Sequence, residues 1–557
     1  MFARGRPPGD IPRVDAQAAA ESSDPPSRWG SAALVLAFWL AALAASGAVA
    51  PFRSFELDRF FVPKELALHC GALVVALVLT ARRGDRRYTL ADLALGAWLI
   101  WSVVSALLAT SGWHAARALA ISLSAGAVFW GATALRADGR ARQVVLALAA
   151  ASAIAVASAL AQAYGYGNDL FAANRAPGGL LGNRNFIAHV AAMALPLFVF
   201  LAATSRSSLG SLIGAAAILA SSAALVLSRS RAAWLALAVW LLIAVPVAWQ
   251  GRGVIKTAMA PRRGLLLAGA LATGLLLALV LPNALDWRSD SPYLDSVRGV
   301  VNYRDGSGAG RLKQYTNSLK IARANPVVGV GPGNWAAEYP GFAVKPDPSI
   351  SESSGMTANP WPSSDWVAAI AERGIPAALA MATLLIVLLM NAWRGWRDSV
   401  FPSAERFGAL AGGSAVLIGV VEGGLDAVSL LAFPSIILWG AAGAMIPAGR
   451  AMTTRRFSPR ARAYLLGATA IVWTGIVAMT AGKLEAMRLY SCSTLESVRA
   501  AATYDPGSYR IQMRAAELLA ERGMCRLAYH NAMAARGLFP RAAAPEAVLA
   551  KCAGSTR

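Results

Sequence analysis

The sequence predicts an all-α, polytopic membrane helix bundle of about 12–13 spans, on three observations. Apolar stretches of about twenty residues, the length a helix needs to cross a bilayer core, recur from Ser31 to Gly482. Basic residues gather in every second gap between these stretches, the positive-inside pattern. One long hydrophilic insert, 284–365, interrupts the series.

Taken in order, residues 1–30 are polar and Pro-rich (Arg4, Arg6, Pro7, Pro8, Asp24, Pro25, Pro26) and read as a disordered cytoplasmic N-terminus. No short apolar core with a small-residue cleavage site precedes Ser31, so 31–50 reads as a retained first span. The further spans fall near 65–80, 89–109, 115–135, 143–163, 185–203, 208–227, 231–249, 264–283, 366–391, 407–423, 429–447 and 463–482. Arginine-rich gaps (Arg82, Arg83, Arg86 and Arg87; Arg136, Arg140 and Arg142; Arg262 and Arg263; Arg394, Arg397 and Arg406; Arg455 to Arg462) define the cytoplasmic side. The membrane domain thus covers 31–482, with the 284–365 insert and the 483–557 tail in the periplasm of a bacterial inner membrane.

Composition agrees: 56% hydrophobic residues, 15% charged residues and a mean hydropathy of +0.49 exclude a water-soluble core protein. The net charge of +22 lies in short inter-span loops rather than along one face, so it excludes a nucleic-acid partner.

The tail reads as helical hairpins. Asp505-Pro506 and Phe539-Pro540 lie 34 residues apart, the tetratricopeptide period, with helical patterns at 508–521 and 525–537 between them. So short an array needs a docking surface, either on the membrane domain or on an envelope protein partner. If a helix at 543–553 packs antiparallel to 525–537, Cys525 and Cys552 lie at the same end and pair, leaving Cys492 odd and Cys70 within a span.

Candidate functional residues cluster at the periplasmic rim. Arg229 and Arg231 sit in a tight turn between two apolar helices. They read either as snorkelling anchors or as a bidentate site for the diphosphate of a lipid-linked substrate. Arg184 opens the sixth span, where helix amides also favour anions, and His189 follows one turn inside. In the insert, 311–323 shows an apolar face of positions 312, 315, 319 and 322, a helix expected to end at Asn325-Pro326. The glycine run Gly329 to Gly333 lacks a following Lys-Ser/Thr and is no nucleotide loop. It reads as a tight turn presenting Trp335 and Tyr339, which either stack on sugar or anchor at the interface; Trp361 is a third such aromatic. Asp365 and Glu372, two turns apart on one helix face, are either general-base carboxylates or ion-pair partners. Glu422 and Asp426 form a further acidic spot. No pattern calls for a metal or other cofactor.

In this order the patches resemble the O-antigen ligase and polymerase superfamily of envelope glycosyltransferases. The resemblance rests on Phe60-Phe61-Val62-Pro63-Lys64, Gly182-Asn183-Arg184-Asn185, Ser228-Arg229-Ser230-Arg231-Ala232 and Gly310-Arg311. It continues through Asn325-Pro326, Gly329 to Trp335, and Ser364-Asp365-Trp366 with Ala371-Glu372-Arg373-Gly374-Ile375. It spans about 30–450, leaving the tetratricopeptide-like tail as an appendage. It implies a GT-C-like bundle that moves a glycan from undecaprenyl diphosphate to an acceptor such as another glycan or lipid A core, as in lipopolysaccharide or polysaccharide synthesis. Arg184, Arg229, Arg231 and Arg311 would face the diphosphate. Ser363 stands where relatives commonly carry a histidine, which leaves Asp365, Glu372 or His189 as base. Two other classes stay open: a solute transporter, and a non-catalytic scaffold that binds lipid-linked glycan.

Overall fold

The computed structural model describes residues 28–553, except 172–176, 288, 303, 305 and 345. The expected disordered stretch 1–30 therefore lies, up to residue 27, outside the described residues. Among the described residues there are 21 α-helices and one two-stranded sheet, and 12 of the helices are long and apolar enough to cross a membrane. The protein is an all-α polytopic membrane bundle.

The spans are α1 (Arg28–Gly47), α2 (Asp58–Ala81), α3 (Leu90–Leu107), α4 (Gly112–Ala137), α5 (Ala141–Ala163), α6 (Arg184–Ala203), α7 (Ser208–Ser228) and α8 (Arg231–Gln250). After the short α9 (Arg252–Ala258) comes α10 (Pro261–Val280). The insert folds as α11 (Pro292–Val301), α12 (Gly306–Ala324) and the single turn α13 (Trp335–Glu338). The membrane domain resumes with α14 (Asp365–Arg397), α15 (Ser403–Gly423), α16 (Ala432–Met445) and α17 (Pro459–Tyr490). The tail is α18 (Leu495–Tyr504), α19 (Tyr509–Glu521), α20 (Cys525–Leu538) and α21 (Ala544–Ala553). Strands β1 (Arg86–Thr89) and β2 (Ala451–Arg455) pair antiparallel at the end of the bundle opposite the insert.

α6 is the central helix, with 16 of its 20 residues buried, while α8, α10 and α17 ride the periphery and leave most of their apolar surface facing outward. Small residues set the helix separations: a Cβ on Gly443 would stand 2.4 Å from the Phe129 carbonyl oxygen, and one on Gly214 would stand 2.5 Å from Ala202 Cβ. α16, the expected span at 429–447, has 14 residues, all buried. At about 1.5 Å per residue it is too short for a bilayer core, and neighbouring helices cover it instead of lipid.

The arginines at the end opposite the insert close helix C-termini. Arg136 donates to the Ile446 carbonyl (2.6 Å) at the end of α16, Arg263 to Ala203 (3.1 Å) at the end of α6, and Arg406 to Trp396 (2.9 Å) near the end of α14. Each satisfies a carbonyl that helix geometry leaves unpaired and complements the negative end of the helix dipole.

In the insert, the expected apolar face of the 311–323 helix is buried at Ala322 and half-buried at Tyr315 but not at its two leucines. Leu312 and Leu319 are about half exposed, whereas Gln314, Asn317, Ser318 and Ile321 are buried. The polar members are satisfied: Gln314 Oε1 accepts from Ser363 N (2.7 Å), Asn317 donates to Asp347 (3.0 Å), and Ser318 Oγ accepts from Trp335 Nε1 (2.8 Å). The need to pair loop backbone and side chains overrides the leucine periodicity.

The glycine run locks the insert to the membrane helices. Gly331 N donates to the Glu372 carbonyl (2.9 Å), Ser105 Oγ to the Val328 and Glu372 carbonyls (2.6 and 2.9 Å), and Trp101 Nε1 to Val327 (3.0 Å). Gly329 (φ +67°) lies flat on the α14 backbone, where a Cβ would stand 2.2 Å from the Glu372 carbonyl carbon. Gly374 (φ +80°, ψ 176°) kinks α14 at the same place. Both positions need the left-handed region that glycine tolerates.

The tail packs around Ala516, Leu519, Ala528, Ala532 and Ala535, and a disulfide joins Cys525 to Cys552 with the Cα atoms 5.2 Å apart. It sits on the same end of the molecule as the insert. Lys483 pairs with Asp505 (2.9 Å), Phe539 packs on the His114 ring (5.1 Å), and Ala543 N donates to the Ser354 carbonyl (3.2 Å).

Candidate functional site

The local fold brings the four candidate arginines to one end of the bundle from separate elements. Arg184 begins α6 behind an N-cap, Asn183, whose side chain accepts from Asn185 N. Arg229 ends α7 in a left-handed conformation (φ 52°), strained for a residue with a side chain. That reversal starts α8 two residues later, so Arg229 and Arg231 emerge from one sharp turn.

Three of the guanidinium groups have protein partners among the described residues. Arg229 donates from Nε to Ser296 Oγ (2.7 Å) and stacks on Trp287 at 4.5 Å. Arg231 donates to the Gly299 carbonyl (2.6 Å), so α11 orients both. Arg311, from α12, lies 3.5 Å from Asp426. Arg231 and Arg311 line one small cleft of about 30 Å³ with Leu312 and Tyr315. Arg184 lies within electrostatic reach of Arg229, Arg231 and Arg311. Four like charges at this spacing repel one another, an arrangement that a polyanion relieves.

The connection between α15 and α16, residues 424–431, is the centre of the remaining network. Asp426 accepts from Asn185 Nδ2 (2.8 Å) and from Ala427 N (2.9 Å), beside Arg311. Burial works to raise its carboxyl, but the His189 and Arg311 charges outweigh it and hold it below the usual carboxylate range. Two residues on, the same connection meets Asp365, whose oxygens accept from Val428 N (3.1 Å) and Ser429 N (2.8 Å). Asp365 therefore begins α14 packed against Gly423, where a Cβ would come within 2.7 Å of its Oδ2. Tyr315 ties the assembly to α12, donating to the Ser363 carbonyl (2.6 Å).

Asp365 also lines a cavity of about 40 Å³ with Arg373, Ser122, Trp98 and Trp366. Arg373 is fully buried: it donates to Ser122 Oγ (3.1 Å), pairs with Glu372 (3.6 Å) and faces the Trp98 ring at 5.6 Å. Its Nε has no hydrogen-bond partner among the described residues, nor has the Ser230 hydroxyl between the two turn arginines. Orphaned buried polar atoms of this kind call for a functional account.

Several sequence expectations change here. Trp335 and Tyr339 do not present their rings to a sugar, since both are fully buried in the insert core. Tyr339 donates to Asp347 (2.9 Å), and burial together with that carboxylate pushes its phenol up to about 12. They build the scaffold. Trp361 is different: it packs on Phe61 (5.2 Å) and Phe186 (6.4 Å) and lines a large cavity.

Glu372 pairs with Arg373 (3.6 Å), one of its two expected roles, and accepts from Trp335 N (3.4 Å), whereas Asp365 is held by the α15–α16 connection, so the two carboxylates have different hydrogen-bond partners. His189 has no exposed surface, and its ring nitrogens face Glu422 (3.3 Å) and Asp426 (3.7 Å). That seat suits a bridge between carboxylates rather than a base that meets substrate. Asp426, Asn185, Tyr315 and Arg373 are the members that motif reading left outside the site. The one signal for Asp426 was an acid in apolar surroundings. Among the described residues, no group of three or more His, Cys, Asp or Glu side chains has the geometry to hold a metal.

Comparison with known proteins gives one family match: residues 215–382 match the model described as O-Antigen ligase. No curated protein matches the chain. The matched segment, under a third of the chain, contains Arg229, Arg231, Arg311, Asp365 and Arg373 but stops short of Asp426 and the tail. It supports the O-antigen ligase and polymerase superfamily, hence membrane glycosyltransferase activity of that type, with a lipid-linked glycan and an acceptor as partners in general.

Proposed function

We propose that the protein transfers a glycan from undecaprenyl diphosphate to an acceptor sugar, as a polysaccharide ligase or polymerase on the periplasmic face of the bacterial inner membrane. The observation that carries this reading is the convergence of Arg184, Arg229, Arg231 and Arg311 around α11 and Asp426. Guanidinium groups stay charged and bind phosphate oxygens bidentately, so the cluster suits a diphosphate at the membrane surface.

In this reading the arginines hold the donor with its anomeric carbon toward Asp365. The acceptor hydroxyl oxygen attacks that carbon, and the bond from carbon to phosphate oxygen breaks. Undecaprenyl diphosphate leaves with the electron pair, its growing charge met by the arginines. The hydroxyl proton passes to Asp365, which keeps lone-pair capacity beyond its two backbone bonds. His189 and Asn185 act as positioning residues by fixing Asp426, and Asp426 fixes Arg311.

The test is a deletion strain complemented with Arg231→Ala or Arg311→Ala. Accumulated undecaprenyl-linked glycan and lost surface polysaccharide, with the variants present in the membrane, support the proposal. Unchanged polysaccharide from both variants defeats it.

A further inference from the structure

A cavity of about 740 Å³, lined by none of the four candidate arginines, is roofed by the tail. Its walls come from the start of α2, the first turns of α4, insert residues 354–361 and the α15–α16 connection, with Tyr509, Arg510, Arg514 and Glu517 of α19 closing one side. We propose that this cavity receives the acceptor as an oligosaccharide without net charge, and that α19 selects which one. The proposal rests on the transferase reading and adds to it the acceptor's chemical class and a selecting element outside the matched family segment.

Three observations support it. The cavity adjoins the Asp365 cavity, since Ser122, Ser429 and Leu430 line both, and Ser429 N donates to that carboxylate (2.8 Å). Its volume lies within the ~300–1,000 Å³ typical of pockets that enclose a ligand.

Its lining also has the chemistry of sugar recognition. Six carboxylates and five Lys or Arg side chains line it, a near balance that contrasts with the four arginines gathered at the donor cluster. Such a wall does not concentrate a polyphosphate, and burying an acyl chain against it would desolvate charges without replacing their partners. Aromatic rings stand on two sides, Trp361 with Phe61 and Phe186 on one, and Tyr509 on Phe539 (5.3 Å) on the other. Sugar C–H faces stack on such rings while carboxylates accept from hydroxyls.

The experiment uses the labelled full-length protein in nanodiscs on an array of neutral and anionic bacterial oligosaccharides, with undecaprenyl diphosphate binding measured in parallel. Retention of neutral glycans, weakened at least five-fold by Tyr509→Ala and by Glu517→Ala with undecaprenyl diphosphate affinity unchanged, supports the proposal. Glu517→Ala guards against a folding artefact, because that side chain is 44% exposed and sits 3.5 Å from Arg514 on the surface of α19. Retention of anionic glycans alone, displacement of bound glycan by phospholipid, or indifference to both substitutions overturns it. Failure of undecaprenyl diphosphate to bind the unaltered protein instead removes the transferase reading, an outcome scored separately from the array.

Discussion

Arg311 of the insert and Asp426 of the α15–α16 connection meet at 3.5 Å, the ion pair that joins the periphery of the site to its centre. Asp426 also takes a hydrogen bond from Asn185 (2.8 Å), so a helix start, an insert helix and a loop are held by one carboxylate.

Arg231→Ala and Arg311→Ala should each weaken binding of undecaprenyl diphosphate by roughly 10- to 100-fold, from loss of a charged hydrogen bond worth about 1.5–3 kcal/mol. Lysine at either position should recover only part, since an ammonium lacks the bidentate fork. Equilibrium binding in nanodiscs reads both, and wild-type affinity in the alanine variants would remove the cluster from the donor site.

Asp365→Asn should lower glycan transfer by about 10²–10⁴-fold with donor affinity intact, the range expected for loss of general-base help. Transfer assayed against donor binding separates this from misfolding. Unimpaired transfer would deny the carboxylate its role.

Asp426→Asn should lower the melting temperature at neutral pH and flatten its fall in acid. The folded carboxyl sits below its ordinary value of 3.8, so its stabilising effect is complete above that value and lost as pH falls through the lower one. Melting curves between pH 3 and pH 7 for both proteins give the difference. Parallel curves would show that the ion pair contributes nothing.

Gly374→Ala should destabilise the fold. The backbone alone costs on the order of 1–3 kcal/mol in the left-handed region. A Cβ there would also stand 2.1 Å from the Val327 carbonyl oxygen. A fluorescence-detected melting curve reads the loss, and Gly475→Ala in α17, where nothing lies within 4 Å, serves as the neutral control.

Cys525→Ser should release α21 and expose α20 to protease, with a stability loss of about 2–4 kcal/mol for the tail. Thiol labelling of the native protein should find Cys70 and Cys492 alone.

Much of this was legible before coordinates. Apolar runs of bilayer length located the spans, because helix length and hydropathy are local properties. The turn arginines were also legible, since Arg229 and Arg231 stand out against two apolar helices. What escaped was set by long-range partners. Leu312 and Leu319 promised a buried face, but Gln314, Asn317 and Ser318 took it in order to hold Ser363, Asp347 and Trp335. Trp335 and Tyr339 looked like displayed aromatics until the glycine run folded them inward. Asp426 carries no motif, and its importance lies in three neighbours from distant parts of the sequence.

Gly374 divides α14 into a piece that belongs to the membrane and a shorter piece that belongs to the insert. Asp365 stands at the far end of the shorter piece, and the hydroxyl of Tyr315 and the side chain of Gln314 both reach its neighbour Ser363. The proposed base is thus mounted on the same platform as Arg311, so under the proposed function a shift of that platform when a lipid head docks would carry grip and base together and preserve their spacing.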